Sequence, residues 1–315
     1  MIIGNVFIKA IGCAEASGRA DNLAQAAMIG KNADFVDQRI GTRSLPEATE
    51  DETAVALGVR AADEALARAR LSASDIGLVI FVTQNPDHGG LPHNAALVQH
   101  RMGLPVSTIC FDMGLGCSGY CYAVVTAASL MKAAACRYSL VVTSDQYRAK
   151  LSPDDMNTRM LFGDGACATV LGLDDGCLEL CGARLGTDGS GHSALIRKDG
   201  WITMNGRAVF NFSRKIIAPE IESFLNEIDV SKSSLDAVLL HQGSRAIVEE
   251  IRAGLGVSES CCPVEMEGRG NTVSSSLPFM LAPRLEKNGP RQIIAAGFGV
   301  GLSWGLLWLH RRNFV

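Results

Sequence analysis

Three side chains with chemical potential stand where an apolar run gives way to a helix-like one: Cys117 in GLGCSG, His241 in LLHQGS and Asn271 in GRGNTVSSS. Glycines at 114, 116 and 119 permit a sharp turn and a close approach of a ligand to the backbone around Cys117. A cysteine that opens a helix meets the positive end of the helix dipole and unpaired N–H groups, which favours thiolate. His241 is placed to take the thiol proton, and the same N–H groups can hold the oxygen of a thioester carbonyl under attack. The plain alternative is that Cys117 packs beside Cys121 as a small core residue. Ser118 is not the nucleophile of a Gly-x-Ser-x-Gly elbow, because residue 120 is Tyr. Nor does GVG at 299–301 read as a dinucleotide site, since no helix with an acidic residue follows it.

The elements that must position these residues alternate between helical and strand periodicity, the mark of an α/β protein. An Ala-rich helix covers 51–70, a buried strand lies in SDIGLVIFVTQN (74–85), and a second helix covers 93–102. The Cys117 segment leads into a helix, YSLVVTSD (138–145) is another buried strand, and MLFGDGACATVLGL reads as two strands around a tight glycine turn. The second half repeats this order. SSLDAVLLHQGS parallels 74–85, the helix SRAIVEEIRAGLG follows, CCPVEMEGRGNTVSSSLPFML stands where the Cys117 segment stood, and RQIIAAGFGVGLSWGLLWL parallels 138–173. Gln84 lies 33 residues before Cys117, and Gln242 lies 29 before Asn271, so the intervals repeat as well. The expected division is a half 1–175 with the cysteine and a half 176–315 with the histidine and asparagine, fused across one core. Under a pseudo-twofold axis, Cys117 and Asn271 lie at corresponding helix starts, and His241 takes the place of Thr83 or Gln84.

Composition narrows the partners. With 47% hydrophobic and 20% charged residues over 315, and mean hydropathy +0.16, the chain is globular with a large core. No apolar run reaches the roughly 18–20 residues that span a bilayer. The start, MIIGNVFIKAIG, lacks a basic region before its apolar stretch and reads as a first strand, not a signal peptide, so a cytoplasmic protein is expected. The ten cysteines are then reduced core residues, and neither Cys177/Cys181 nor Cys261/Cys262 has zinc-site spacing, so no metal is expected. A net charge of -4 argues against nucleic acid as a partner.

GLGCSGYCYA, LLHQGSR, GRGNTVSSSLP and GFGVGLSWG, in that order with GTRS and LFGDGA, resemble the β-ketoacyl-acyl-carrier-protein synthase III family over roughly residues 35–310. The resemblance implies a thiolase fold, with duplicated βαβαβ halves in five α-β-α-β-α layers. It implies that Cys117 accepts an acyl group from acyl-CoA or an acyl-carrier protein. His241 and Asn271 would bind the malonyl-carrier-protein carbonyl during decarboxylation, and the backbone N–H groups of Cys117 and Val300 would form an oxyanion hole. A homodimer without a metal or redox cofactor is implied too. The family's adenine-stacking Trp and Arg fall on Phe35 and Met156, with Arg159 three residues on, while Arg39 and Arg43 are placed to meet CoA phosphates. Tyr147 stands where an aliphatic residue is expected in the acyl tunnel, and Leu91 would reach the partner subunit's tunnel. Arg207, Phe210 and Phe298 join the substrate set. Arg214, Lys215, Arg245 and Arg252 are candidate docking residues for an acidic carrier protein. Arg148 and Arg159 are surface arginines on the plainer reading, or partners for a carboxylate on the acyl group. Two other functions remain at this stage: acyl transfer to an alcohol or amine, and a non-catalytic subunit of a paired synthase.

Overall fold

The computed structural model describes residues 1–312. In the first half, β1 (Val6–Glu15) is followed by β2 (Gly18–Asp21), α1 (Asn22–Met28), α2 (Ala33–Phe35) and β3 (Ser44–Glu47). Then come α3 (Ala54–Ala69), β4 (Ile76–Val82), α4 (Asn94–Arg101), β5 (Ile109–Met113), α5 (Gly119–Ala133), β6 (Tyr138–Asp145), α6 (Met156–Arg159) and β7 (Gly165–Leu173). The second half begins with β8 (Leu178–Thr187), β9 (Leu195–Lys198), β10 (Trp201–Met204), α7 (Gly206–Phe212) and α8 (Ala218–Glu227). It ends with β11 (Ala237–Leu240), α9 (Arg245–Leu255), α10 (Ser276–Leu281), β12 (Gln292–Gly299) and β13 (Ser303–Arg311).

Nine strands form one ladder in the order β11-β12-β13-β8-β1-β7-β6-β4-β5. Outward from β1, the strands β7, β6 and β4 pair antiparallel, antiparallel and parallel; outward from β8, β13, β12 and β11 repeat that sequence. The two arms meet where β1 pairs with β8 at Phe7↔Glu179 and Ile8↔Leu178, extended by a bridge between Ile2 and Gly182. The counterpart of β5 is not a strand. The chain there, containing Pro263, contributes a single ladder bond from Val238 N–H to the Cys261 carbonyl at 2.8 Å.

Side-chain alternation builds the layers. On β4, Ile76, Val79 and Phe81 pack with α3 and α4, whereas Leu78, Ile80 and Val82 pack with α5. On β12, Ile294, Ala296 and Phe298 face α8 and α9, while Ile293 and Ala295 face the centre. The helices α5 and α10 therefore lie between two sheet arms, with α3/α4 and α8/α9 outside, giving the five layers expected. Helix α5 buries most of its circumference, including Tyr120, Val124, Ala127, Ala128 and Met131, and leaves Tyr122, Thr126, Ser129 and Lys132 along its less buried side.

One local expectation is corrected. Residues 160–173 are not a hairpin: only β7 is a strand, and Phe162 makes just a bridge to Asn271. The hairpin instead lies at β9–β10, where Asp199 and Gly200 both take positive φ (51° and 86°), as a tight twisted turn requires. The β6–β7 connection is correspondingly long, 146–164, whereas its counterpart between β12 and β13 is only Val300–Leu302.

Candidate active site

Cys117 sits in the loop between β5 and α5, 4% exposed. The end of β12 passes so close that a Cβ on Gly299 would lie 2.9 Å from both the Cβ and Sγ of Cys117, so only glycine leaves the sulfur free. The Val300 N–H and the residue's own N–H face the sulfur. These donors do not prevail. Burial first, then the charge of Asp145, push the Cys117 thiol up to about 12, which corrects the expectation of a stabilised thiolate at the helix start.

His241 follows β11, and its N–H donates to the Ala296 carbonyl at 2.8 Å. Its ring meets Phe298 edge-on, 5.6 Å between centroids at 90°. Burial lowers its pKa to about 3, so it is neutral. Ser276, the first residue of α10, faces the ring: its Oγ accepts from the Gln242 N–H at 2.9 Å and lies 3.1 Å from His241 Nδ1. When its hydroxyl hydrogen is donated to Nδ1, the imidazole proton sits on Nε2.

Asn271 is pinned through its backbone, donating to the Leu161 carbonyl at 2.8 Å and accepting from the Gly163 N–H at 3.1 Å. Its Oδ1 accepts from the Val273 N–H at 2.9 Å, which leaves the Nδ2 amide as the free donor. The loop that carries it leads into α10, as the loop of Cys117 leads into α5.

A cavity of about 560 Å³ brings Cys117, His241 and Asn271 together with Phe35, Arg39, Phe210 and Phe298. Ser213 of the π-helical turn between α7 and α8 also lines it, a place where such turns often sit. Other sequence-predicted residues lie elsewhere. Met156 opens α6 while its neighbours Asp155, Asn157 and Thr158 reach the cavity. Arg43 is held by Asp37 (2.7 Å) and Arg159 by Glu47 (3.6 Å), and neither lines it. Arg148 is not at the surface: it is 2% exposed and holds Glu47 and the carbonyls of Arg159 and Phe162. Tyr147 is buried, stacks on Phe162 at 4.8 Å and packs in one cluster with Cys117. Leu91 is 86% exposed. Of the docking candidates, Arg214, Arg245 and Arg252 pair with Glu250, Glu249 and Glu259, whereas Lys215 is exposed, as is Arg207 of the substrate set.

Sequence reasoning missed Ser276, whose signal was the serine run before α10, and the network around Asp145. That carboxylate, 1% exposed at the end of β6, accepts through Oδ1 from Thr83 Oγ1 (3.0 Å), Gln84 N–H (2.9 Å) and Asn85 Nδ2 (3.1 Å). Its Oδ2 has no partner among the described residues, and burial raises the carboxyl to about 7.

A five-layered pair of sheet arms, with a buried thiol at one central helix and a neutral imidazole and an amide converging on it, defines a thiolase-fold condensing enzyme. Residues 111–189 match the family model for 3-oxoacyl-[acyl-carrier-protein] synthase III, and 225–310 match the model of its C-terminal part. The chain is 33% identical over 286 residues to the β-ketoacyl-[acyl-carrier-protein] synthase III of Geobacillus kaustophilus, covering 90% of this chain and 91% of that one. It is 31% identical to that of Thermosynechococcus vestitus, with 97% and 98% covered. The structure superposes on a crystal structure of a 3-oxoacyl-(acyl-carrier-protein) synthase III with TM-score 0.91 at 30% identity, covering 98% of this chain and 100% of that one. For the enzyme of Pseudomonas aeruginosa PAO1 the values are 0.89 and 28%, with 99% of each chain covered. The chain belongs to the β-ketoacyl-[acyl-carrier-protein] synthase III family. It is an acyltransferase of the condensing type.

Proposed function

We propose that Cys117 takes the acyl group of an acyl-CoA or acyl-carrier-protein thioester and that His241 and Asn271 direct decarboxylative condensation with malonyl-carrier protein. The observation that carries this is the meeting, in one cavity, of the Cys117 sulfur, the neutral His241 ring and the Asn271 amide. In the first half-reaction the Cys117 sulfur bonds to the acyl carbon and the donor's C–S bond breaks. The thiol proton leaves with the departing thiolate, and the N–H groups of Cys117 and Val300 hold the carbonyl oxygen. In the second, carbon dioxide leaves the malonyl group. The enolate oxygen is held by two neutral donors, and the carbanion attacks the acyl-Cys117 carbon and expels the thiolate. On this reading residues 1–175 supply the nucleophile and 176–315 the enolate donors. Arg39, Arg207 and Lys215 are the cations left to meet the phosphopantetheine or its carrier.

A second copy of the chain completes the assembly in this proposal. The strand β5 ends the ladder with an unpaired, half-exposed apolar edge, which invites pairing. Asp112 on β5 caps the start of α4 (N–H of Asn94 at 2.7 Å, of Ala95 at 2.8 Å), fixing the loop that carries Leu91 at the same margin.

Intact-protein mass spectrometry with acyl donors, run beside carbon dioxide release from malonyl-carrier protein, tests the roles. Cys117→Ala is expected to lose the acyl adduct. His241→Ala and Asn271→Ala are expected to keep the adduct and lose decarboxylation by roughly 10²–10³-fold. A wild-type protein that gains no acyl mass from any donor overturns the assignment.

A further inference from the structure

Beside Cys117 lies a second cavity of about 180 Å³, lined by Gln84, Asn85, Tyr147, Leu195, Ile196, Arg197, Ile202 and Val300. It shares Leu195 with the larger cavity, and Tyr147, Leu195, Ile202 and Val300 pack in the same cluster as Cys117. Gln84 reaches to the turn of the nucleophile itself: a Cβ on Gly116 would stand 2.5 Å from Gln84 Oε1.

The polar groups here are arranged as donors. The Tyr147 hydroxyl donates to Gln84 Oε1, so the Gln84 amide nitrogen is the end left over, and it has no hydrogen-bond partner among the described residues. Arg197 donates through Nη2 to Asn85 Oδ1, and Asn85 is 5% exposed and tied through Nδ2 to Asp145 at 3.1 Å. Among the described residues Arg197 forms no salt bridge. Arg197 lies on the exposed side of β9, and a guanidinium that spends one donor on a neutral, buried, anchored amide has most of its donors left for another group. The other walls are apolar, which suits the methylenes of a short chain. At ~30 Å³ per water-sized group, the space takes about six such groups.

We propose that this cavity receives the distal end of a short acyl chain terminating in a carboxylate, held by Arg197 and the Gln84 amide, so that the preferred primer is a dicarboxylic half-thioester of about four carbons. Tyr147 sets the length limit through its stack on Phe162. The inference rests on acyl transfer to Cys117 as proposed above, and the cation it uses is Arg197, not the Arg148 or Arg159 singled out in the sequence.

The test compares initial rates of Cys117 acylation by succinyl-CoA, its uncharged near-isostere 4-methylpentanoyl-CoA, and acetyl-CoA, read by intact mass. Wild type is expected to take succinyl at least ~10-fold faster than 4-methylpentanoyl, and Arg197→Leu to invert that ratio. Gln84→Leu is expected to reduce it, and Arg197→Lys to retain part of it. Equal rates in wild type, or a ratio unmoved by Arg197→Leu, overturn the inference. If acetyl labels Cys117 and succinyl does not, this inference fails while the acyl-transfer reading stands. If no donor labels Cys117, the acyl-transfer reading fails first.

Discussion

The pair at the centre of the site is poised in its neutral form. The Cys117 thiol is pushed up to about 12 and the His241 imidazole down to about 3, both chiefly by burial. Burial disfavours both the thiolate and the imidazolium, so the resting site opposes moving the proton from sulfur to imidazole. The sequence invited the view that His241 deprotonates Cys117. On the proposed mechanism it does the opposite work, donating from Nε2 while Nδ1 faces the Ser276 hydroxyl at 3.1 Å. Because a raised thiol pKa keeps the reactive thiolate scarce throughout the usual range, alkylation of Cys117 by iodoacetamide is expected to accelerate about tenfold per pH unit from 6 to 9.5. His241→Ala should leave that slope in place. A plateau below pH 8 in mass-spectrometric labelling rates would show a thiolate already stabilised in the resting site. That Cys117, His241 and Asn271 converge on one cavity was legible from spacing, because a repeated order of elements marks corresponding helix starts. The tautomer was not, because it depends on a hydroxyl 35 residues from the ring.

At the scale of elements, the end of β6 shows how a strand terminus organises a site. Asp145 holds residues Thr83–Asn85 through three bonds across sequence separations of 60 to 62, and no local pattern in YSLVVTSD announces that task. The strand itself was readable from its apolar run. The long β6–β7 connection was misread as a hairpin because its glycines, 163 and 165, serve close packing and not a turn: a Cβ on Gly163 would lie 2.2 Å from the Arg269 carbonyl. Burial holds the Asp145 carboxyl up to about 7, against about 4 in an unfolded chain. Between those values the folded state binds the extra proton, so Asp145 makes stability fall as pH rises from about 4 to about 7. Asp145→Asn keeps the Oδ1 acceptor and removes the titration. Its unfolding temperature is expected to decline less than that of the wild type between pH 5 and 8, by scanning calorimetry. Parallel declines would place the carboxylate, ionised, in the folded state throughout that range.

At the scale of the molecule, the ladder is asymmetric at its ends. One end is finished by β11, with the Cys261 carbonyl accepting from Val238 N–H beside it; the other ends in β5, whose outer edge has no strand partner among the described residues. An apolar edge strand with Ile109 38% exposed, next to Leu91 at 86% and Val106 fully exposed, is a liability in a free chain and an interface in an assembled one. Pairing of β5 with its own copy about a twofold axis would continue the ladder across two chains and bury these side chains, the isologous arrangement most common among homodimers. Wild-type protein is therefore expected to sediment at twice the 33.4 kDa chain mass at micromolar concentration. Ile109→Lys with Leu91→Asp should shift it to the monomer and lower the unfolding temperature measured at the same concentration, since the interface stabilises by mass action. If Leu91 also reaches the partner's acyl tunnel, Leu91→Asp alone changes the acyl preference of a protein that is still dimeric. A wild type that sediments as a monomer at tens of micromolar would leave β5 as an edge that this chain protects in some other way.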